Sequence, residues 1–132
     1  MEIHSCRADI LQYAAQTYQT IADYPWEGDS ISAVLRHADT RKWYGILMRV
    51  RWTSLGEQKE GYVDILNLRC DPATISSLRT VPGFYPAYHM HKGNWITVLL
   101  DGSVDKGLIC SLLDDSFLLT KKRTKARKSD IQ

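Results

Sequence analysis

Cations placed to reach phosphates together are the first chemistry this sequence offers. Arg49 and Arg51 stand two apart on one strand. Arg41 and Lys42 fall in the turn before it, with Arg36 close by, and Lys92 sits among Tyr88, His89 and His91. Phosphate binding takes several cations acting together, often with aromatic rings beside them. Residues 121–132 carry Lys121, Lys122, Arg123, Lys125, Arg127 and Lys128 against one acid, Asp130, a net +5. Residues 1–120 hold 11 basic and 14 acidic groups, so the overall charge of +2 conceals a mildly acidic body and a basic end. Such an end attracts polyanions through counterion release without reading sequence. The alternative is a solvated, disordered tail. No helix carries the Arg, Asn and Gln rows that major-groove readout needs.

Other chemistry is thinner. His89 and His91 form an H-x-H pair that an extended segment would point one way, but no third ligand lies nearby, so no metal is assigned. Asp114 and Asp115 are adjacent on a helix and cannot face each other as an acid–base pair. Cys6, Cys70 and Cys110 are far apart with no zinc spacing, and read as small buried thiols. Ser103 and Cys70 lack a base at a fixed offset, so no catalytic residue is assigned. Tyr85, Tyr88, His89, Met90, Lys92 and Trp95 together have the composition of a recognition patch, or of a loop that packs onto the sheet.

The elements that must position these groups follow from periodicity. Ile10, Leu11, Ala14, Tyr18 and Ile21 make one helical stripe over 4–22, ended by Asp23-Tyr24-Pro25. Strands are expected at 32–37, 43–52 and 62–68. In the second, Tyr44, Ile46, Met48, Val50 and Trp52 share one face, and Trp43, Gly45, Leu47, Arg49 and Arg51 the other. Asp71-Pro72 is a helix start, with a carboxylate cap and a proline where no amide hydrogen is needed. A short helix over 73–79 and an aromatic loop over 84–93 lead to a strand at 95–100. Ser103 or Asp105 caps a last helix over 104–119, whose inner stripe is Leu108, Ile109, Leu112, Leu113 and Ser116. Helices at both ends of hairpin-linked strands argue for an α+β fold, an antiparallel sheet covered on one face by the N- and C-terminal helices, its other face partly open to water. The expected organisation is one domain over 1–120 and a basic, disordered tail over 121–132. Without a signal peptide or a run of the ~20 apolar residues that span a bilayer, the expectation is a cytoplasmic protein with no membrane contact.

Asn67-Leu68-Arg69-Cys70-Asp71-Pro72, then the stretch from Pro82-Gly83-Phe84-Tyr85-Pro86 through Gly93-Asn94-Trp95 to Val104, and finally 111–117, resemble the MmcQ/YjbR family. The resemblance extends over about residues 4–120. It implies a frataxin-like α-β sandwich and a bacterial, cytoplasmic protein that binds DNA through two β wings. His91 and Asn94 stand where the family commonly has asparagine and histidine. An iron-binding role like frataxin's would need an acidic ridge, and the first helix offers only Asp9 and Asp23.

The reading is therefore a non-enzymatic DNA-binding protein without sequence preference or cofactor. Arg49, Arg51, Lys92, Arg41, Lys42, Lys121, Lys122 and Arg123 are its phosphate contacts, and Tyr88, His89, Lys92 and Trp95 its family-motif loop. The alternative is a protein- or small-ligand-binding module built on Tyr85–Trp95. The tip of the 53–61 connection, with Glu57, Lys59 and Glu60, is not basic, which weakens it as a wing.

Overall fold

Caps and breakers set the ends of the elements in a computed structural model that describes residues 6–121. The order is α1 (Arg7–Tyr18), β1 (Ala33–Arg36), β2 (Trp43–Arg51), a 3₁₀ turn (Trp52–Leu55), β3 (Tyr62–Arg69), α2 (Pro72–Leu78), β4 (Phe84–Pro86), β5 (Trp95–Leu99) and α3 (Lys106–Leu119). Asp71 accepts the Thr74 N–H at 2.9 Å and Pro72 opens α2. Asp105, not Ser103, caps α3 by accepting from Leu108 at 3.2 Å. Ser103 is instead held in the preceding turn by the Asp101 carboxylate.

The strands form one antiparallel sheet in the order β1-β2-β3-β5-β4. On its inner face Leu47, Leu66, Leu68, Ile96 and Val98 pack with Ile10 and Ala14 of α1, Ile75 and Leu78 of α2, and Ile109 and Leu113 of α3. Gly45 sits where this packing is closest: a Cβ there would lie 3.1 Å from Leu35 Cδ1 and 3.5 Å from Leu113 Cδ1. Ser116 is fully buried, donating to the Tyr44 carbonyl (2.6 Å) and accepting the Arg69 N–H (2.9 Å). It thereby clamps the end of α3 to β2 and β3.

Four expectations need correction. The first helix does not reach Ala22: Gln19 turns left-handed (φ 56°) and Ile21 is 84% exposed. Tertiary contacts override the stripe here. The Thr20 hydroxyl accepts from Tyr44 Oη at 2.6 Å, and Asp23 exchanges backbone hydrogen bonds with Val34. Second, Trp43 and Tyr44 exchange faces. The β1–β2 register slips between Leu35 and Arg36, putting Tyr44 into the inner core and leaving Trp43 with Ile46 and Met48 on the outer side. A bulge has this effect because side-chain direction alternates strictly residue by residue. Third, the aromatic segment begins with a short edge strand, β4, whose Pro86 is tolerated at an edge. Fourth, the outer face is largely covered: Ala87, Trp95 and Met90 close over Val34 and Ile46, while Tyr85, Tyr88, Leu55 and Trp52 pack on Val50, Val63, Ile65 and Leu99. The inner stripe of α3 holds except at Leu108, which is exposed.

Candidate functional site

Antiparallel pairing brings the start of β2, the end of β3 and the start of β5 to one end of the sheet. Gly45 faces Leu68, and Arg69 faces Trp95. The last turn of α3 reaches the same end. The result is a pocket of about 350 Å³ whose wall includes Lys42, Arg69, Lys121, Trp43 and Trp95 and, among the described residues, no carboxylate. The C-terminal end of a helix carries partial negative charge and favours a cation such as Lys121. Behind the pocket, His37 is buried against Phe117 and Tyr44, with Nε2 2.9 Å from the Thr120 hydroxyl. Burial holds its pKa below the usual histidine value, so the ring is neutral at neutral pH.

The other cations expected to touch phosphate do not join this corner. Arg49 binds the buried Asp64 through two contacts, Nε–Oδ1 at 2.7 Å and Nη2–Oδ2 at 3.3 Å. Arg51 lies over the Tyr62 ring, 5.0 Å from its centroid. It is eight residues along β2 from Trp43, roughly 27 Å at ~3.3 Å per residue. Arg41 adopts a left-handed backbone (φ 67°) and lies 3.9 Å from Asp23, which also holds Arg36 at 2.9 Å. Lys92 lines a separate cleft with Tyr85 and Leu55. In the 52–61 connection, Lys59 Nζ stacks 3.9 Å from the Trp52 ring and Glu57 accepts from Tyr85 Oη at 2.6 Å. Lys122, Arg123 and the rest of the basic end lie outside the described residues. Arg69 was passed over by sequence reasoning. Its signal was its place as the last residue of β3, beside Trp95 once β3 pairs with β5.

The aromatic loop is part core, part surface. Trp95 and Ala87 are buried. Asn67 and Thr97, both fully buried, pin the loop: the Tyr88 N–H donates to Thr97 Oγ1 at 2.9 Å and its carbonyl accepts from Asn67 Nδ2 at 3.1 Å. The Thr97 hydroxyl donates to Asn67 Oδ1, which closes the network. His89 then turns left-handed (φ 57°) and stacks on Tyr88 at 3.9 Å. That turn breaks the extended geometry on which the H-x-H argument depended. His91 Nδ1 accepts the Gly93 N–H at 3.2 Å.

Beside the pinned loop lies a second cleft, of about 400 Å³, walled by Trp26, Trp43, Tyr88, Met90 and Asp29. Trp26 meets Trp43 edge to face, with centroids 6.0 Å apart. Two other groups have structural roles. Asp114 accepts from Tyr13 at 2.9 Å and from Tyr18, joining α1 to α3. The three cysteines are free, and burial pushes the Cys70 thiol up to about 11, far from reactive.

Among the described residues no helix is long and apolar enough to cross a membrane. The family model YjbR matches residues 15–119. The Bacillus subtilis protein YyaQ is 42% identical over 115 residues, 87% of this chain and 98% of its own length. A crystal structure of a Pseudomonas syringae protein is 44% identical with a TM-score of 0.84, covering 87% of this chain and 98% of that one. A Deinococcus radiodurans protein shares the fold at 23% identity, with a TM-score of 0.69, over 91% of this chain and 81% of its own.

Proposed function

The chain belongs to the YjbR family, and from that premise we propose that it is a non-enzymatic, cytoplasmic nucleic-acid-binding protein that grips phosphates at the Lys42–Arg69–Lys121 corner. The observation that carries this reading is the wall of that pocket, which three cations and two tryptophans line and which has no carboxylate among the described residues. Cations beside flat aromatic surfaces suit a phosphate backbone and an unstacked base. The sequence directly after Lys121 is itself basic, with Lys122, Arg123, Lys125, Arg127 and Lys128. Binding is without sequence preference, because the contacts are to phosphates. Helices laid against one face of an antiparallel sheet support the reading of a frataxin-like sandwich.

The test is an anisotropy titration with duplex and single-stranded oligonucleotides of unrelated sequence at low salt. Wild-type protein binds all of them with similar affinity. Combined Lys42→Ala, Arg69→Ala and Lys121→Ala weakens binding by at least tenfold, whereas Arg51→Ala does not. No saturation at high micromolar protein, or equal loss in the Arg51→Ala control, contradicts the proposal.

A further inference from the structure

We propose that the cleft walled by Trp26, Trp43, Tyr88 and Asp29 is a binding site for a small alkylated ammonium ion. This site is separate from the corner that grips phosphate, and the inference does not rest on the nucleic-acid reading. A cation is drawn to an aromatic ring face by the ring quadrupole, and two rings set at right angles can each turn a face to one guest. Trp26 and Trp43 stand in that relation, at 83°. Asn67 and Thr97 hold the Tyr88 backbone on both sides, and its ring stacks on His89. Asp29 is also fixed in advance: its Oδ1 accepts the N–H groups of Ile31 and Ser32, each at 2.9 Å.

The charge of the wall selects the guest. Among the described residues the wall holds one carboxylate, Asp29, one histidine, His89, and no lysine or arginine. Arg36, which lies 5.6 Å from the Trp43 centroid, is paired with Asp23. The adjoining open groove shares Trp26 and Asp29 and adds Glu27, so the approach is acidic too. An anion would meet the Asp29 and Glu27 carboxylates with like charge, and a neutral guest would gain nothing from them. A primary ammonium is strongly hydrated. N-methyl groups reduce that hydration and meet Met48, Met90 and Ile46. The volume lies within the ~300–1,000 Å³ range of small-molecule sites.

Calorimetric titration with choline, and with the neutral alcohol in which carbon replaces its nitrogen, tests this. Saturable choline binding, at least about tenfold tighter than the alcohol, is expected. Trp26→Ala and Asp29→Asn should each weaken choline about tenfold without changing the melting temperature. Trp26 is exposed, and asparagine keeps the oxygen that accepts from Ile31 and Ser32. Absence of saturable binding, equal affinity for the alcohol, or folded variants that bind as wild type overturns the proposal. Should a variant unfold, the choline–alcohol comparison on wild-type protein still decides.

Discussion

The basic corner and the aromatic cleft share Trp43 in their walls, yet they carry opposite charge. The corner is built at strand ends, where Lys42, Arg69 and Lys121 line a pocket whose wall has no carboxylate among the described residues. The cleft is built by the 24–32 segment, whose acids reach the outer face of the sheet. Elsewhere the same residue types cancel: Arg49 meets Asp64 and Arg36 meets Asp23. Positive residues in a sequence are therefore a poor guide to positive surface. What separates the corner from Arg49 is the residue across the ladder, which is Trp95 opposite Arg69 and Asp64 opposite Arg49.

Substitutions can break or sharpen this contrast. Trp95→Ala should have the largest effect, because Trp95 is buried and stands behind the corner. Chemical denaturation should show a loss of about 3–5 kcal/mol, with both ligand classes weakened. Unchanged stability would make the residue a surface feature. Asn67→Leu should separate the regions. It orphans the Tyr88 carbonyl and the Thr97 hydroxyl proton, costing about 1–3 kcal/mol, and should abolish choline binding while oligonucleotide binding persists in the folded fraction. Parallel loss of both would mean that the cleft and the corner are one site.

A smaller, pH-dependent effect belongs to the corner alone. The folded-state pKa of His37 lies below the ~6.5 of an unfolded histidine. The unfolded chain therefore takes up the proton first, and stability falls as pH drops through about 6.5, levelling off below the lowered folded value. His37→Gln should flatten that part of the melting-temperature profile, and an unaltered profile would assign the acid sensitivity to other groups. The smallest effect on binding is expected from Arg49→Ala. It should cost about 1–3 kcal/mol of stability, because the buried Asp64 carboxylate loses a charged partner, and leave oligonucleotide affinity unchanged. A marked loss of affinity would restore Arg49 to the phosphate contacts.

Much of the architecture was legible because local signals agreed with the fold. Asp71-Pro72 starts a helix wherever it stands, and the alternation in β3 and β5 names their faces correctly. Ile21 and Tyr44 were misread because distant partners decide them. Thr20 and Asp23 are drawn to Tyr44 and Val34, and a slip in the ladder turns Tyr44 inward; neither leaves a mark in the local pattern. Coverage of the outer face was one of two readings of the aromatic loop, and the contacts that decide between them, Asn67 and Thr97 holding Tyr88, are not local. In the candidate site, the types Lys42, Lys121 and Trp95 were visible in sequence. Their meeting with Arg69 was not, because it depends on the order in which the strands pair.

The most direct test of the corner is the salt dependence of duplex binding, measured for wild-type protein and for the Lys42→Ala, Arg69→Ala, Lys121→Ala variant with residues 122–132 retained. Each phosphate contact contributes about 0.9 to the slope of log affinity against log salt. The variant should therefore have a slope smaller in magnitude by roughly 2–3. Identical slopes would contradict the assignment and place the phosphate contacts elsewhere on the chain.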